Sequence, residues 1–175
     1  MPSRSFELIF VDDGSTDASW NIIEQLVKAN NQIKGISLGV NQGKSYALQA
    51  GFNEIQGQYV VTMDADLQDD PAEIEQMIRT LESGYDLVSG WKKERFDPVS
   101  KTIPSKFFNW VTRRAAGIHL HDFNCGLKAY RADVLTHIQL YGELHRYIPL
   151  LAKRAGFGRI TEQVVQHRAR KYGTT

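Results

Sequence analysis

The chain has 175 residues, 42% of them hydrophobic, and a formal net charge of +1. That is enough for one domain with a core, and too apolar for a disordered segment. A single cysteine, Cys125, excludes an intrachain disulfide and fits a reducing compartment; no stretch approaches the ~18 consecutive apolar residues of a spanning helix, and Met1–Ser5 carry no apolar signal core.

The near-zero charge hides an asymmetry. Residues 1–90 carry 5 Lys and Arg against 14 Asp and Glu, whereas residues 91–175 carry 16 against 6. An acidic half suits cations and a basic half suits phosphates or an anionic membrane surface, although the two halves could also simply attract each other.

In chain order, Phe6–Val11 is a short apolar run that ends in the turn cluster Asp12-Asp13-Gly14. Ser15 or Thr16 could cap a helix over roughly Asp17–Ala29, with Trp20, Ile23, Leu26 and Val27 as its apolar positions. Ile33–Leu38 follows as a strand and Gly43–Ile55 as a second helix. Gln58–Met63 is a third strand, Pro71–Leu81 a third helix with Pro in its first turn, and Asp86–Ser89 a fourth strand. Strands separated by helices of this length call for crossovers and a parallel sheet, hence an α/β fold. In the basic half, Ser105–Ala116 is expected to be an amphipathic helix; Lys106, Arg113 and Arg114 lie beside Trp110, a face suited to the membrane interface or to ordinary packing on a sheet.

Two acidic turns follow strands at their carboxyl ends, where open α/β sheets bind ligands. In the second, Asp64-Ala65-Asp66, carboxylates two residues apart can aim at one hard cation such as Mg²⁺ or Mn²⁺; Gln68 could add an amide oxygen. Such a metal would neutralise a diphosphate leaving group. A D-x-D triplet alone is common among solvated acidic turns. A calcium loop is excluded, because its sixth position needs Gly where Asp69 stands and a helix should precede it. In the first turn, Asp12 or Asp13 could accept from a base N–H or a ribose hydroxyl while Gly14 permits the turn, or the cluster could serve only as a helix cap. Gly43 and Lys44 before the second helix suit an anion, but the phosphate-loop spacing is absent, as is G-x-G-x-x-G. The five histidines have no zinc-ligand spacing, and Cys125 is expected to be a buried small hydrophobe. Asp122 and Arg131 could form a buried ion pair or, equally, serve a catalytic role.

Taken in order, FVDDGSTD, NQGKSYALQAGF, VVTMDADLQDDP, DFNCGLKAYR and HRARKYG resemble the family 2 inverting glycosyltransferases, most closely the dolichol-phosphate mannosyltransferase and polyprenyl-phosphate glycosyltransferase branch. The resemblance runs from about Phe6 to Thr175. It implies a GT-A fold, a Rossmann-like mostly parallel sheet flanked by helices, in one catalytic domain over 1–175. Residues 1–90 would form the nucleotide-sugar and metal half, and 91–175 the acceptor half. It implies hexosyl transfer with inversion from a UDP- or GDP-sugar to a lipid phosphate, on the cytosolic face of a membrane. No nucleic-acid partner is expected, because the basic residues carry no recognised binding motif or interleaved stacking platform.

By the same resemblance, Asp12, Asp13 and Gly14 contact the nucleotide and Lys44 lies near the donor. Asp64, Ala65 and Asp66 meet the diphosphate, and Asp64, Asp66 and Gln68 hold Mg²⁺ or Mn²⁺. Arg170 and Gly173 belong to a late loop that closes over the diphosphate, which makes Asp66 and Arg170 the catalytic pair. Apart from the resemblance, the clustering of Lys92, Lys93, Arg95, Lys106, Arg113 and Arg114 suits the lipid phosphate and anionic headgroups, although a lone surface lysine is usually just solvated. Relatives begin with an additional apolar strand, which this chain is expected to lack, so truncation at both ends is expected. A phosphate acceptor is already anionic and needs no strong base. A sugar hydroxyl would need one, and the matching region, Gly142–Arg146, lacks the usual Glu-Asp pair and offers only Glu143. The alternatives are therefore a glycan-extending transferase with a hydroxyl acceptor, and a non-catalytic nucleotide-binding domain.

Overall fold

The computed structural model describes residues 4–93 and 117–166. The chain divides into two compact units, one from Met1–Gln58 and Gln139–His145, the other from Tyr59–Ile138 and Arg146–Thr175.

The first unit runs β1 (Leu8–Asp12), α1 (Ser19–Ala29), β2 (Ile33–Ser37) and α2 (Lys44–Asn53). β1 and β2 pair in parallel, from Leu8 opposite Ile33 to Asp12 opposite Ser37; α1 is the crossover that parallel neighbours require. Its apolar stripe lies flat on β2, where Gly35 leaves room: a Cβ there would stand 2.8 Å from Ile23 Cγ2 and 3.3 Å from Val27 Cγ2. α2 packs on β1 in the same way, with Val11 Cγ2 3.3 Å from where a Gly51 Cβ would be. The segment Gln139–His145 returns to α2, and Leu140 N donates to Gln49 Oε1 at 2.8 Å.

α1 begins later than the capping pattern predicts. Ser15 N donates to Asp12 Oδ2 (3.2 Å), which closes a local turn. The helix then starts at Ser19, with Ala18 at the N-cap and no side-chain cap bond; Asp17 Oδ1 accepts from Ser19 N at 2.9 Å instead. Neither Ser15 nor Thr16 is the cap: the N-cap position is Ala18, and the acceptor nearest the helix start is the Asp17 carboxylate.

The second unit contains β3 (Tyr59–Thr62), α3 (Glu73–Glu82), β4 (Leu87–Trp91), β5 (Lys128–Arg131), α4 (Ala132–Thr136), α5 (Ile148–Arg154) and β6 (Ile160–Val164). Its four strands lie in the order β3-β5-β4-β6. β4 and β6 are parallel, but β5 runs antiparallel to both β3 and β4. The expectation of a mostly parallel sheet is corrected here: the sheet is mixed. Lys128–Arg131 is four residues long and begins and ends on a cation, so no apolar run marks it as a central strand. The described residues contain no strand ahead of β1.

One core forms where α3 covers this sheet, with Met77, Leu81, Val88, Leu127, Ala129, Val165 and, as expected, Cys125 buried together. A second gathers Ile118, Leu120 and Phe123 against Leu150 and Ile160. Among the described residues no helix is long and apolar enough to cross a membrane. The expected helix Ser105–Ala116 lies outside the described residues.

In the first unit, Glu7 clamps the chain ends of three elements. Its carboxylate accepts from Gln56 N (2.6 Å), Gly57 N (3.1 Å) and Lys34 Nζ (2.9 Å). Burial alone would raise its pKa, but these donors together hold it below the ordinary glutamate value. A depressed folded pKa contributes stability above the unfolded pKa, and that contribution is lost as pH falls through the folded one. Glu7→Gln is expected to cost about 1–2 kcal/mol at pH 7, with the difference from wild type shrinking below about pH 4; urea unfolding at the two pH values measures it.

Candidate active site

In the first unit, the expected nucleotide-contacting residues lie where β1 ends. Asp12 is the last residue of that strand and is buried, 5% exposed. Asp13 accepts from Gln42 N at 2.7 Å and Gly43 N at 2.9 Å. It therefore ties the β1 exit turn to the loop before α2. The two backbones touch: Gly14 has φ +75°, and a Cβ on it would stand 2.5 Å from Val40 C and Asn41 N. Only glycine fits both the conformation and the space. Two N–H groups ahead of α2 thus already serve Asp13, so an anion at this end of the helix would depend on the exposed Lys44 at its first position. Behind Lys44, Ser45 is fully buried; its Oγ lies 3.0 Å from His145 Nδ1 and accepts from His145 N at 3.0 Å. This double contact fixes the returning segment beside the loop. A serine and a histidine 100 residues apart give no sequence signal for it.

In the second unit, the loop after β3 carries Asp64, Asp66, Asp69 and Asp70. Each has a separate setting. Asp64 is half-buried against Gly126, where a Cβ would lie 2.4 Å from Oδ2 and 2.7 Å from Cγ. Asp66 Oδ1 accepts from Gln68 N at 3.1 Å and shapes the turn. Between them and exposed, Leu67 has φ +60°, the only non-glycine residue at positive φ among those described. A left-handed leucine costs about 1–2 kcal/mol, so the loop geometry is imposed by its surroundings. Asp70 Oδ1 accepts from Ala72 N at 3.0 Å, ahead of α3, which starts at Glu73 rather than at Pro71.

Asp69 is buried, and Lys92 Nζ stands 2.8 Å from its Oδ1; the side chains are 0% and 13% exposed. Lys92 is thus not the open surface cation that an acceptor-phosphate role supposes. Burial lowers its pKa, but Asp69 and, more weakly, Asp64 outweigh that and raise it overall.

Around this loop lies a buried polar layer that the sequence did not announce. Lys128 is 3% exposed, and its ammonium donates to the Cys125 carbonyl. Thr62 Oγ1 donates to the Gly126 carbonyl at 2.9 Å and lies 3.3 Å from the hydroxyl of Tyr130, whose pKa burial pushes far up. Burial also pushes the Cys125 thiol up to about 11, so it is inert at neutral pH. Asp122 is buried at 1% and its Oδ1 accepts from Asn124 N; no ion pair joins it to Arg131 among the described residues. On the other face of β4, Trp91 stacks on His121 at 4.1 Å, and Glu162 accepts from the His121 backbone N–H at 2.6 Å.

Among the described residues no group of three or more His, Cys, Asp or Glu side chains is placed to hold a metal ion. Asp64, Asp66 and Gln68 nevertheless suit a hard divalent cation as a partial oxygen set: two carboxylates and an amide, completed by phosphate oxygens and water. The cradle that Gly126 leaves for Asp64 agrees with that use. Lys106, Arg113, Arg114 and Arg170 lie outside the described residues.

Residues 2–139 match the family profile described as glycosyl transferase family 2. The chain is 40% identical over 174 residues to the dodecaprenyl-phosphate galacturonate synthase of Rhizobium johnstonii, covering 97% of this chain and 52% of that protein. It is 37% identical over 172 residues to the undecaprenyl-phosphate 4-deoxy-4-formamido-L-arabinose transferase of Shewanella sediminis, covering 97% and 51%. The chain thus spans about half the length of the curated relatives it matches. Among solved structures, glucosyl-3-phosphoglycerate synthase of Mycobacterium tuberculosis in complex with Mn²⁺ and UDP-glucose superposes with a TM-score of 0.67 at 25% identity, over 94% of this chain and 61% of that one. This likeness bears out the GT-A-like α/β fold.

Two substitutions separate architecture from ligand contact. Asp13→Ala should destabilise the ligand-free protein by about 1–3 kcal/mol, because two backbone donors lose a charged acceptor; urea unfolding measures it, and a residue that served only a ligand would leave that stability unchanged. Gly126→Ala should push the Asp64 carboxylate aside and weaken nucleotide-dependent Mn²⁺ binding about tenfold or more, a shift of ~1.4 kcal/mol, read by electron paramagnetic resonance.

Proposed function

The chain belongs to glycosyl transferase family 2, and we propose that it moves a sugar, with inversion, from a nucleotide-diphosphate sugar to a polyprenyl phosphate. The observation that carries this reading is the acidic loop after β3, where Asp64 is seated against Gly126 and Asp66 shapes the following turn. It is supported by relatives named for transfer to dodecaprenyl or undecaprenyl phosphate that align over 97% of this chain. Their names span a galacturonate and a modified arabinose, so the donor is proposed as a UDP- or GDP-linked sugar, of which a hexose is one case.

In this reading residues 1–90 serve the donor and 91–175 the acceptor. Asp12, Gly14 and Lys44 meet the nucleotide, and Asp13 holds their loop in shape. Asp64, Asp66 and Gln68 would hold Mg²⁺ or Mn²⁺, which when bound neutralises charge on the diphosphate. Arg170 assists the same diphosphate from the late loop. Lys106, Arg113 and Arg114 receive the acceptor phosphate at the surface of a membrane. That phosphate attacks the anomeric carbon as an anion, its second pKa being about 6, and the nucleotide diphosphate leaves from the opposite face. Glu143 is exposed in the turn before the 3₁₀ segment Leu144–Tyr147, with no second carboxylate beside it in sequence. This favours the phosphate acceptor over a sugar hydroxyl, which would require a positioned base.

The test is a panel of UDP- and GDP-sugars assayed with undecaprenyl phosphate and Mg²⁺ or Mn²⁺. Transfer to lipid is expected with one donor class. Transfer only to sugar hydroxyls would favour the glycan-extending alternative, and nucleotide binding without turnover the non-catalytic one. Asp66→Asn should lower turnover by about 10²-fold or more with an unchanged circular dichroism spectrum; retained turnover would remove the metal role from Asp66.

A further inference from the structure

The loop after β3 places four aspartates in seven residues, yet its charge is not all directed at one point. Asp69 is the buried member, with a fully covered side chain. Among the described residues neither of its oxygens receives a well-directed hydrogen bond. Its neutralising partner is the Lys92 ammonium, 2.8 Å from Oδ1. Among the described residues the compensation of this buried carboxylate comes from that ammonium. Lys92 follows β4 directly, so its position is set by the sheet rather than by the loop it faces.

We propose that Lys92 is a tethered counter-ion that keeps Asp69 out of the metal's ligand set, so that the acidic loop takes up a divalent cation only together with a nucleotide diphosphate. This rests on the metal-dependent transferase reading above. Two carboxylates, Asp64 and Asp66, bring a divalent cation to zero net charge and leave it open to phosphate oxygens. A third would make the site anionic, binding bare metal tightly while repelling the diphosphate it must accept. The tethered ammonium cancels the third charge and also repels a cation that arrives alone. Lys92 therefore acts as a positioning residue through Asp69 rather than by touching substrate.

The experiment is Mn²⁺ titration of the whole chain, read by electron paramagnetic resonance, with and without UDP or GDP. Wild type is expected to bind Mn²⁺ weakly alone and more tightly with nucleotide. Lys92→Met should tighten binding of Mn²⁺ alone by about tenfold or more, because both the repulsion and the neutralisation are gone. Asp69→Asn should do the reverse, weakening Mn²⁺ alone about tenfold by leaving the ammonium uncompensated. The double variant, whose pair is neutral again, should return to within about threefold of wild type. A folded Lys92→Met protein with unchanged or weaker affinity for Mn²⁺ alone overturns the proposal. So does Asp69→Asn with wild-type binding, which decides the matter even where the lysine variant fails to fold. Wild-type chain that binds no Mn²⁺ with either nucleotide overturns the transferase reading itself, and this inference with it.

Discussion

The acidic loop of the second unit takes its shape from a close passage of backbone. The segment Cys125–Gly126 runs so tightly between β4 and the Asp64 side chain that two glycines are required. A Cβ on Gly90 would stand 2.8 Å from Cys125 Sγ and 2.9 Å from the Leu127 carbonyl; one on Gly126 would enter the Asp64 carboxylate. At Gly90 the Leu127 carbonyl could be cleared only by moving backbone, whereas at Gly126 the added atom would displace the Asp64 carboxylate. Burial of Cys125 and Leu127 in the core under α3 keeps the segment in place. The seat of Asp64 is therefore fixed by the same packing that holds the sheet together.

With that seat fixed, the rest of the loop follows. Asp66 and Asp70 spend one oxygen each on turns of their own backbone, and Asp69 is anchored to Lys92. Leu67 accepts an unfavourable backbone angle between these anchors. Each aspartate thus has a mechanical duty beside any chemical one. The same is true in the first unit, where Asp13 holds two loops together through Gln42 and Gly43. A carboxylate is economical in both tasks, since it accepts strongly from backbone N–H groups and also attracts cations.

Much of this was legible in the linear chain. The strand, helix and turn periodicities of residues 8–91 placed three helices and four strands within a few residues, because short apolar runs bounded by Gly, Asp and Pro leave few alternatives. The acidic exit turns and the family likeness were carried by contiguous motifs. Less visible were β5 and β6, whose residues Lys128–Arg131 and Ile160–Val164 are short and mixed in polarity. Their strand state comes from neighbours already in the sheet, not from local preference.

The amino-acid sequence by itself determined the α/β class, the two acidic turns at strand ends and the family, since each is written in adjacent residues. Only the tertiary structure decided which carboxylates are tied to backbone, which is paired with a lysine, that β5 runs against its neighbours, and that Ser45 meets His145. Those outcomes depend on groups far apart in the chain but close in space, such as Asp64 and Gly126, whose contact no local pattern of residues encodes.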